Sequence, residues 1–267
     1  MLIASRNMRM SVLGWLICVV AMLFYCYEYL LRIEPSVMMP SLMQNFQITA
    51  TGLGYLSTAY LIGYAPLQLI VGSIIDRFGA RPILIFALCL CVIGAISFGL
   101  THSVWIASLG RLIIGVGSAF AFVGVLRLAA IWLQPQYFSF FVGLTTALGM
   151  IGAMIGDIEL SHLVQYMGWQ DTVYLSAFFG CLLIPIFLCF IYEPSRISDA
   201  SLNISKSLWY NTVQVLANKQ VVIAGIIGGV LYLSLSVFAD IWGVGYIKVL
   251  LKDSPQVHAS EVNAMVY

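Results

Sequence analysis

Charge is what this chain has least of. Of its 267 residues, 12 are Lys or Arg and 11 are Asp or Glu, 9% in all, against about 25% in a soluble domain. That is too little to solvate the surface of a water-soluble domain of this length, so a soluble enzyme is excluded. The net charge of +1 offers no field for a phosphate backbone, which excludes a nucleic-acid binder. Hydrophobic residues make up 61% and mean hydropathy is +0.99, which excludes a disordered chain. Catalytic signatures are missing too. There is no H-E-x-x-H, no G-x-S-x-G and no pair of carboxylates at catalytic spacing, so no enzyme is expected. The cysteines (Cys18, Cys26, Cys89, Cys91, Cys181, Cys189) all sit in apolar runs without a C-x-x-C spacing. They read as small buried hydrophobes, and no metal or cofactor is expected.

What the chain has is long uncharged stretches. No Asp, Glu, Lys or Arg occurs in 10–27, 35–75, 82–110, 112–126, 128–156, 172–192 or 220–239. A membrane-spanning helix takes about 20 apolar residues, so these runs predict seven spans in an all-α membrane protein. They are continuous rather than alternating at period two, which argues against a membrane barrel. The expected spans are 11–31, 52–75, 83–100, 105–133, 137–156, 172–192 and 221–247. Ser41–Thr51 and Asp157–Asp171 read as polar loops, and Glu193–Gln220 as the longest hydrophilic segment.

Orientation follows from basic loop residues. With the N-terminus inside, inner segments hold Arg6, Arg9, Arg77, Arg81, Arg196, Lys206 and Lys219, and outer segments hold Arg32, Lys248 and Lys252, seven against three. The N-terminus is expected to be cytoplasmic. Arg6 and Arg9 before an apolar stretch resemble a signal peptide, but no A-x-A site follows, so the first span is expected to remain. His102, His162 and His258 fall in outer loops or at span ends and read as surface histidines.

Between spans 2 and 3 the sequence runs Gly72-Ser-Ile-Ile-Asp76-Arg77-Phe-Gly79-Ala-Arg81-Pro82. This resembles the signature loop of the major facilitator superfamily, G-x-L-x-D-R-x-G-R-R, at Gly72, Asp76, Arg77, Gly79 and Arg81. Ile74 replaces Leu and Ala80 departs from the basic consensus. Physically, Gly72 suits close helix approach, Gly79 a tight turn, and the arginines a cytoplasmic loop. In span 4, Arg111-Leu-Ile-Ile-Gly115-Val-Gly117 resembles the family's R-x-x-x-G-x-G pattern. Span 5 carries a small-residue stripe of Thr145, Gly149, Gly152, Ala153 and Gly156 for helix packing. It lacks the proline of the drug–proton antiporter branch, which argues against that branch.

The resemblance implies a six-helix N-terminal bundle (1–192), a cytoplasmic inter-half linker (193–220) and the first helix of a second half (221–267), the rest being cut off. It also implies alternating access around a central site lined by spans 1, 4 and 7. The charges within spans fall there: Glu28 and Arg32 with Tyr25 in span 1, Arg111 and Arg127 in span 4, and Asp240 in span 7, beside Tyr60 and Tyr64 of span 2. Glu28 and Arg32 are i,i+4 and share a face. Arg111 and Arg127 are 16 residues apart, about 160° around a helix, and cannot point to one place. Acid, arginine and tyrosine together suit a small polar solute such as an amino acid or short peptide, with a proton as candidate co-substrate on Glu28 or Asp240. The same pairs also suit a purely structural role. Tyr25–Ser36 bears a faint resemblance to bacterial relatives of the lysosomal dipeptide-transporter branch. The expected function is transport of a small-molecule substrate across a bacterial inner membrane, with the lipid bilayer as the other partner. Two alternatives stay open: a truncated, non-transporting membrane protein, and a half-transporter that dimerises. Asp240 is expected to lack the helices that would bury it.

Overall fold

The computed structural model describes residues 2–193, 217–251 and 256–267. Arg196, Lys206 and Lys252, and nearly all of the expected linker, lie outside the described residues. Those described form helices and turns, with no strand among them.

The first helix, α1 (Leu2–Val37), is followed by α2 (Met39–Phe46) and α3 (Ala50–Tyr64). A 3-10 turn, Pro66–Leu69, separates α3 from α4 (Val71–Phe78). Then come α5 (Ala80–Leu100), α6 (Val104–Ser118), α7 (Ala121–Trp132), α8 (Pro135–Met167) and α9 (Trp169–Phe190). After the undescribed stretch follow α10 (Lys219–Ser234), a π-helical segment Leu235–Trp242, α11 (Gly243–Leu250) and α12 (Gln256–Ala264). Among the described residues six stretches are long and apolar enough to cross a membrane, and a seventh results if Ala50–Leu69 and Val71–Phe78, bent by 64°, count as one span. The bend has a local cause. Pro66 has no N–H to give the helix, and Gln68 ties the turn to α6–α7 by donating to the Ala119 carbonyl at 3.3 Å.

Small residues set the packing. A Cβ on Gly115 would overlap the Tyr60 backbone, one on Gly117 would lie 2.5 Å from the Ala87 carbonyl, and one on Gly94 would lie 2.7 Å from the Gly110 carbonyl. The α3–α6 and α5–α6 crossings therefore bring backbones together, as small residues allow in a membrane. The stripe on α8 packs against α1: a Cβ on Gly149 would lie 2.7 Å from the Tyr25 ring, on Gly152 2.6 Å from Cys26 Sγ, and on Gly156 2.8 Å from Ile33. The outward faces stay apolar, as Val12, Leu16, Val19 and Leu23 show along one side of α1.

Four expectations change. Asp157–Asp171 is not a loop: α8 continues to Met167 and stops at Gly168, whose φ is +88°. Asp157, Leu160 and Ser161, at helical spacing, are all buried, so the polar residues belong to a packed face. Ser41–Thr51 is mostly helical, with only Gln47–Thr49 between α2 and α3. Among the described residues nothing lies within 4 Å of where a Cβ on Gly72 would stand, so none of them makes a close helix contact there. The stretch after Ile247 is not merely polar: α12 docks on α8.

Candidate functional site

Three spans bring charged residues together, and a fourth adds tyrosines. On α1, Arg32 donates from Nε and Nη2 to Glu28 Oε1 at 3.1 and 2.7 Å. From α3, Tyr60 donates its hydroxyl to the same Glu28 oxygen and receives Arg32 Nε at 3.2 Å. From α10, Tyr232 accepts Arg32 Nη1 at 2.9 Å and shares a 3.1 Å hydrogen bond with Tyr29. From the π-helical segment, Asp240 Oδ2 lies 3.8 Å from Arg32 Nη1. The guanidinium also faces the rings of Tyr29 and Tyr64, 4.6 and 5.1 Å from their centroids, and Tyr25 extends the hydroxyl chain to Tyr29 at 3.4 Å. One cation thus sits among two carboxylates and a wall of tyrosines, an arrangement that compensates its burial.

Arg111 reaches this cluster from α6 by a different logic. It is buried, donating to the Leu31 carbonyl at 2.6 Å and the Arg32 carbonyl at 3.2 Å. Pro35 lies inside α1, and a proline has no N–H for the carbonyl four residues before it. That carbonyl is Leu31, so Arg111 supplies the donor that Pro35 removes. The arginine therefore does not run to the bundle's end. Its own Nε is left without a partner.

Arg32, Ser57, Tyr60, Arg111, Ser236 and Asp240 line a cavity of about 20 Å³, room for roughly one water. Its lining holds two arginines and Asp240, and Glu28 stands behind Arg32 as its ion-pair partner. Asp240 is buried, bonded by Tyr267 at 2.9 Å as well as facing Arg32, so the expectation that it lacks a burying partner is overturned.

The structure separates Arg127 from this group. It lies at the other end of its span, 3.3 Å from Asp76, with both side chains partly exposed. Asp76 and Arg127 are the ion pair of the bundle end that also carries the signature loop. There Gly79 takes φ +87°, and Glu193 at the end of span 6 accepts the Arg81 backbone N–H at 3.1 Å. Arg81 also donates to the Leu188 carbonyl at 2.9 Å. Arg77 lies over the Phe78 ring. The loop is thereby tied to spans 4 and 6, away from the central cavity.

A model described as Major Facilitator Superfamily matches residues 10–251. The chain belongs to the major facilitator superfamily. It is 26% identical over 150 residues to a protein of Cupriavidus necator named as a probable sulfoacetate transporter, SauU, covering 56% of this chain and 35% of that protein. It is 29% identical over 182 residues to the uncharacterized transporter YybO of Bacillus subtilis, covering 66% and 41%. The chain thus spans roughly two fifths or less of the length of these curated relatives. Among solved structures it resembles the nucleoside transporter NupG, with a TM-score of 0.69 at 13% identity over 93% of this chain and 64% of that one. It also resembles a bacterial homolog of the human lysosomal transporter Spinster, inward-facing and unoccupied, with a TM-score of 0.64 at 14% identity over 95% and 72%. At such identities the likeness is one of fold.

Several buried polar residues in or near this cluster were not among the sequence candidates. Glu34 is fully buried on α1 and neither of its oxygens has a hydrogen-bond partner; the nearby Ser176 hydroxyl donates instead to the Thr172 carbonyl at 3.2 Å. Tyr232 is the only tyrosine in its apolar run, which was a usable signal. Asp157, Asn263 and Tyr267 carried none, because their roles depend on where α12 folds back.

Proposed function

We propose that this chain forms part of a secondary transporter that moves a small polar organic solute through the bilayer by alternating access, binding it at the Arg32 cluster. The observation that carries this is the position of Arg32, shared by Glu28, Tyr60, Tyr232 and Asp240 beside a cavity. A solute carboxylate or sulfonate takes the guanidinium when one of the two acids takes a proton, and a solute amine takes the acid left behind. Both signs are on offer, so an amino acid or short peptide fits the balanced charges best. The name of the Cupriavidus relative supports an acidic group on the solute. The chain's residues 1–192 act as one half, 193–220 as the inter-half linker and 221–267 as the start of the other half, with the N-terminus on the cytoplasmic face of a bacterial inner membrane.

The test is binding to the purified chain and uptake by proteoliposomes, with labelled amino acids, dipeptides and small organic sulfonates. Saturable binding lost on Arg32→Ala supports the proposal. Binding that survives Arg32→Ala, or no binding in any class, overturns it. Reporter fusions after Arg81 should read cytoplasmic and after His102 the opposite side; the reverse overturns the orientation.

A further inference from the structure

Helix α12 lies across two buried acids. Asn263 donates from Nδ2 to Oδ2 of Asp157 on α8 at 2.5 Å and to the Ala239 carbonyl at 3.1 Å. Four residues on, Tyr267 donates to Asp240 Oδ1 at 2.9 Å. Gly243 makes the space, because a Cβ there would collide with the Asn263 side-chain oxygen.

The two acids are not equivalent. Asp240 has Arg32 within 3.8 Å. Asp157 is fully buried, its Oδ1 has no hydrogen-bond partner, and among the described residues no ion pair reaches it. The titratable groups that act on it are Asp240 from the π-helical segment and Tyr267 from the chain beyond α12, neither of them a cation. Helix α1 meets the same face through Leu30 and Ile33 at Gly156. Its Arg32 is engaged with Glu28, Tyr60 and Tyr232. On α8 itself Glu159 points outward and Ser161, one turn on, is neutral and buried with an unpartnered hydroxyl. A bare carboxylate with only an amide donor, close to a second acid, is costly in such surroundings, and a neutral acid is not.

We propose that Asp157 is a proton-binding site whose occupancy is linked to the docking of α12. As α12 seats, a hydronium ion of the bulk solvent gives its proton to Oδ1 and leaves as water, while Oδ2 accepts the Asn263 hydrogen bond. Undocking opens Asp157 to water and releases the proton. The linkage sign follows: docking takes up a proton, so it is favoured as pH falls. This site adjoins the Arg32 cluster through Asp240 but does not depend on the identity of the solute.

The test reads docking directly. Ser260 on α12 is buried. In the chain with its native cysteines replaced, Ser260→Cys is labelled in liposomes with a small water-soluble maleimide. Rates are compared with and without Asp157→Asn at each pH, so that thiol chemistry cancels. The expected ratio is close to one near pH 5 and rises with pH towards faster labelling with Asp157 intact, by up to about tenfold per pH unit between the undocked and docked titration points of the acid. A ratio that does not change with pH overturns the proposal. If Asp157→Asn fails to fold, Asn263→Ala serves as the undocked reference. The parent should then label more slowly than this reference at low pH and approach it at high pH, and a constant difference overturns the proposal. No solute is present, so the outcome is independent of whether the Arg32 cluster binds one.

Discussion

Arg32 places two of its nitrogens on one oxygen of Glu28, at 3.1 and 2.7 Å, and leaves Glu28 Oε2 with no hydrogen-bond partner. The arginine is the hub, since it also holds Tyr60, Tyr232 and Asp240. Removing one partner of a buried ion pair costs about 3–5 kcal/mol. Arg32→Ala strands two acids and should fall in that range. Glu28→Gln leaves Arg32 with Asp240 and should cost clearly less. Thermal unfolding of the purified variants checks the order, and a Glu28→Gln variant less stable than Arg32→Ala would contradict it.

Asp76 and Arg127 meet at 3.3 Å, with Asp76 exposed and Arg127 partly so. Such a pair adds at most about 1 kcal/mol to stability. Asp76→Asn should leave unfolding unchanged within that margin and leave solute affinity unchanged, because the central cavity lies elsewhere in the bundle. Under the proposed function, its effect should appear in the rate of switching between access states of the whole transporter, measured as exchange of labelled solute across proteoliposomes. A large affinity loss would show that the signature loop contacts solute.

Two glycines of α8 offer a matched comparison. A Cβ at Gly149 meets the Tyr25 and Tyr29 rings, whereas one at Gly143 meets nothing within 4 Å. Gly149→Val should destabilise by about 1–3 kcal/mol through overpacking, while Gly143→Ala should be neutral or slightly stabilising. Denaturation midpoints decide it, and equal behaviour at the two positions would mean that α1 and α8 are not in close contact.

Replacing an interior helix proline by alanine ordinarily favours the helix by about 3 kcal/mol. At Pro35 that gain should be missing. An alanine in its place would bring back an N–H for the Leu31 carbonyl and straighten α1 there, drawing away the acceptor that Arg111 now uses at 2.6 Å. The melting temperature of Pro35→Ala should stay level or fall, and a rise of several degrees would show that Arg111 does not depend on the proline.

The amino-acid order by itself determined the all-helical membrane class and the places of most spans, because apolar runs of bilayer length and scarce charges leave no other solution. It also determined the signature loop, where Gly79 and the basic residues act locally, and the Glu28–Arg32 pair, which one helical turn enforces. Tertiary structure decided the rest. Arg127 and Arg111 share a span, yet only packing shows that one meets Asp76 and the other the Leu31 carbonyl. Asp157 reads as a loop residue in the sequence because it opens a polar stretch. It becomes a buried acid because α12, about a hundred positions later, supplies Asn263. Asp240 is sheltered for the same reason, through Arg32 and Tyr267. Periodicity and composition report on neighbours within a few turns, whereas a buried charge is settled by the partner that a distant segment brings to it.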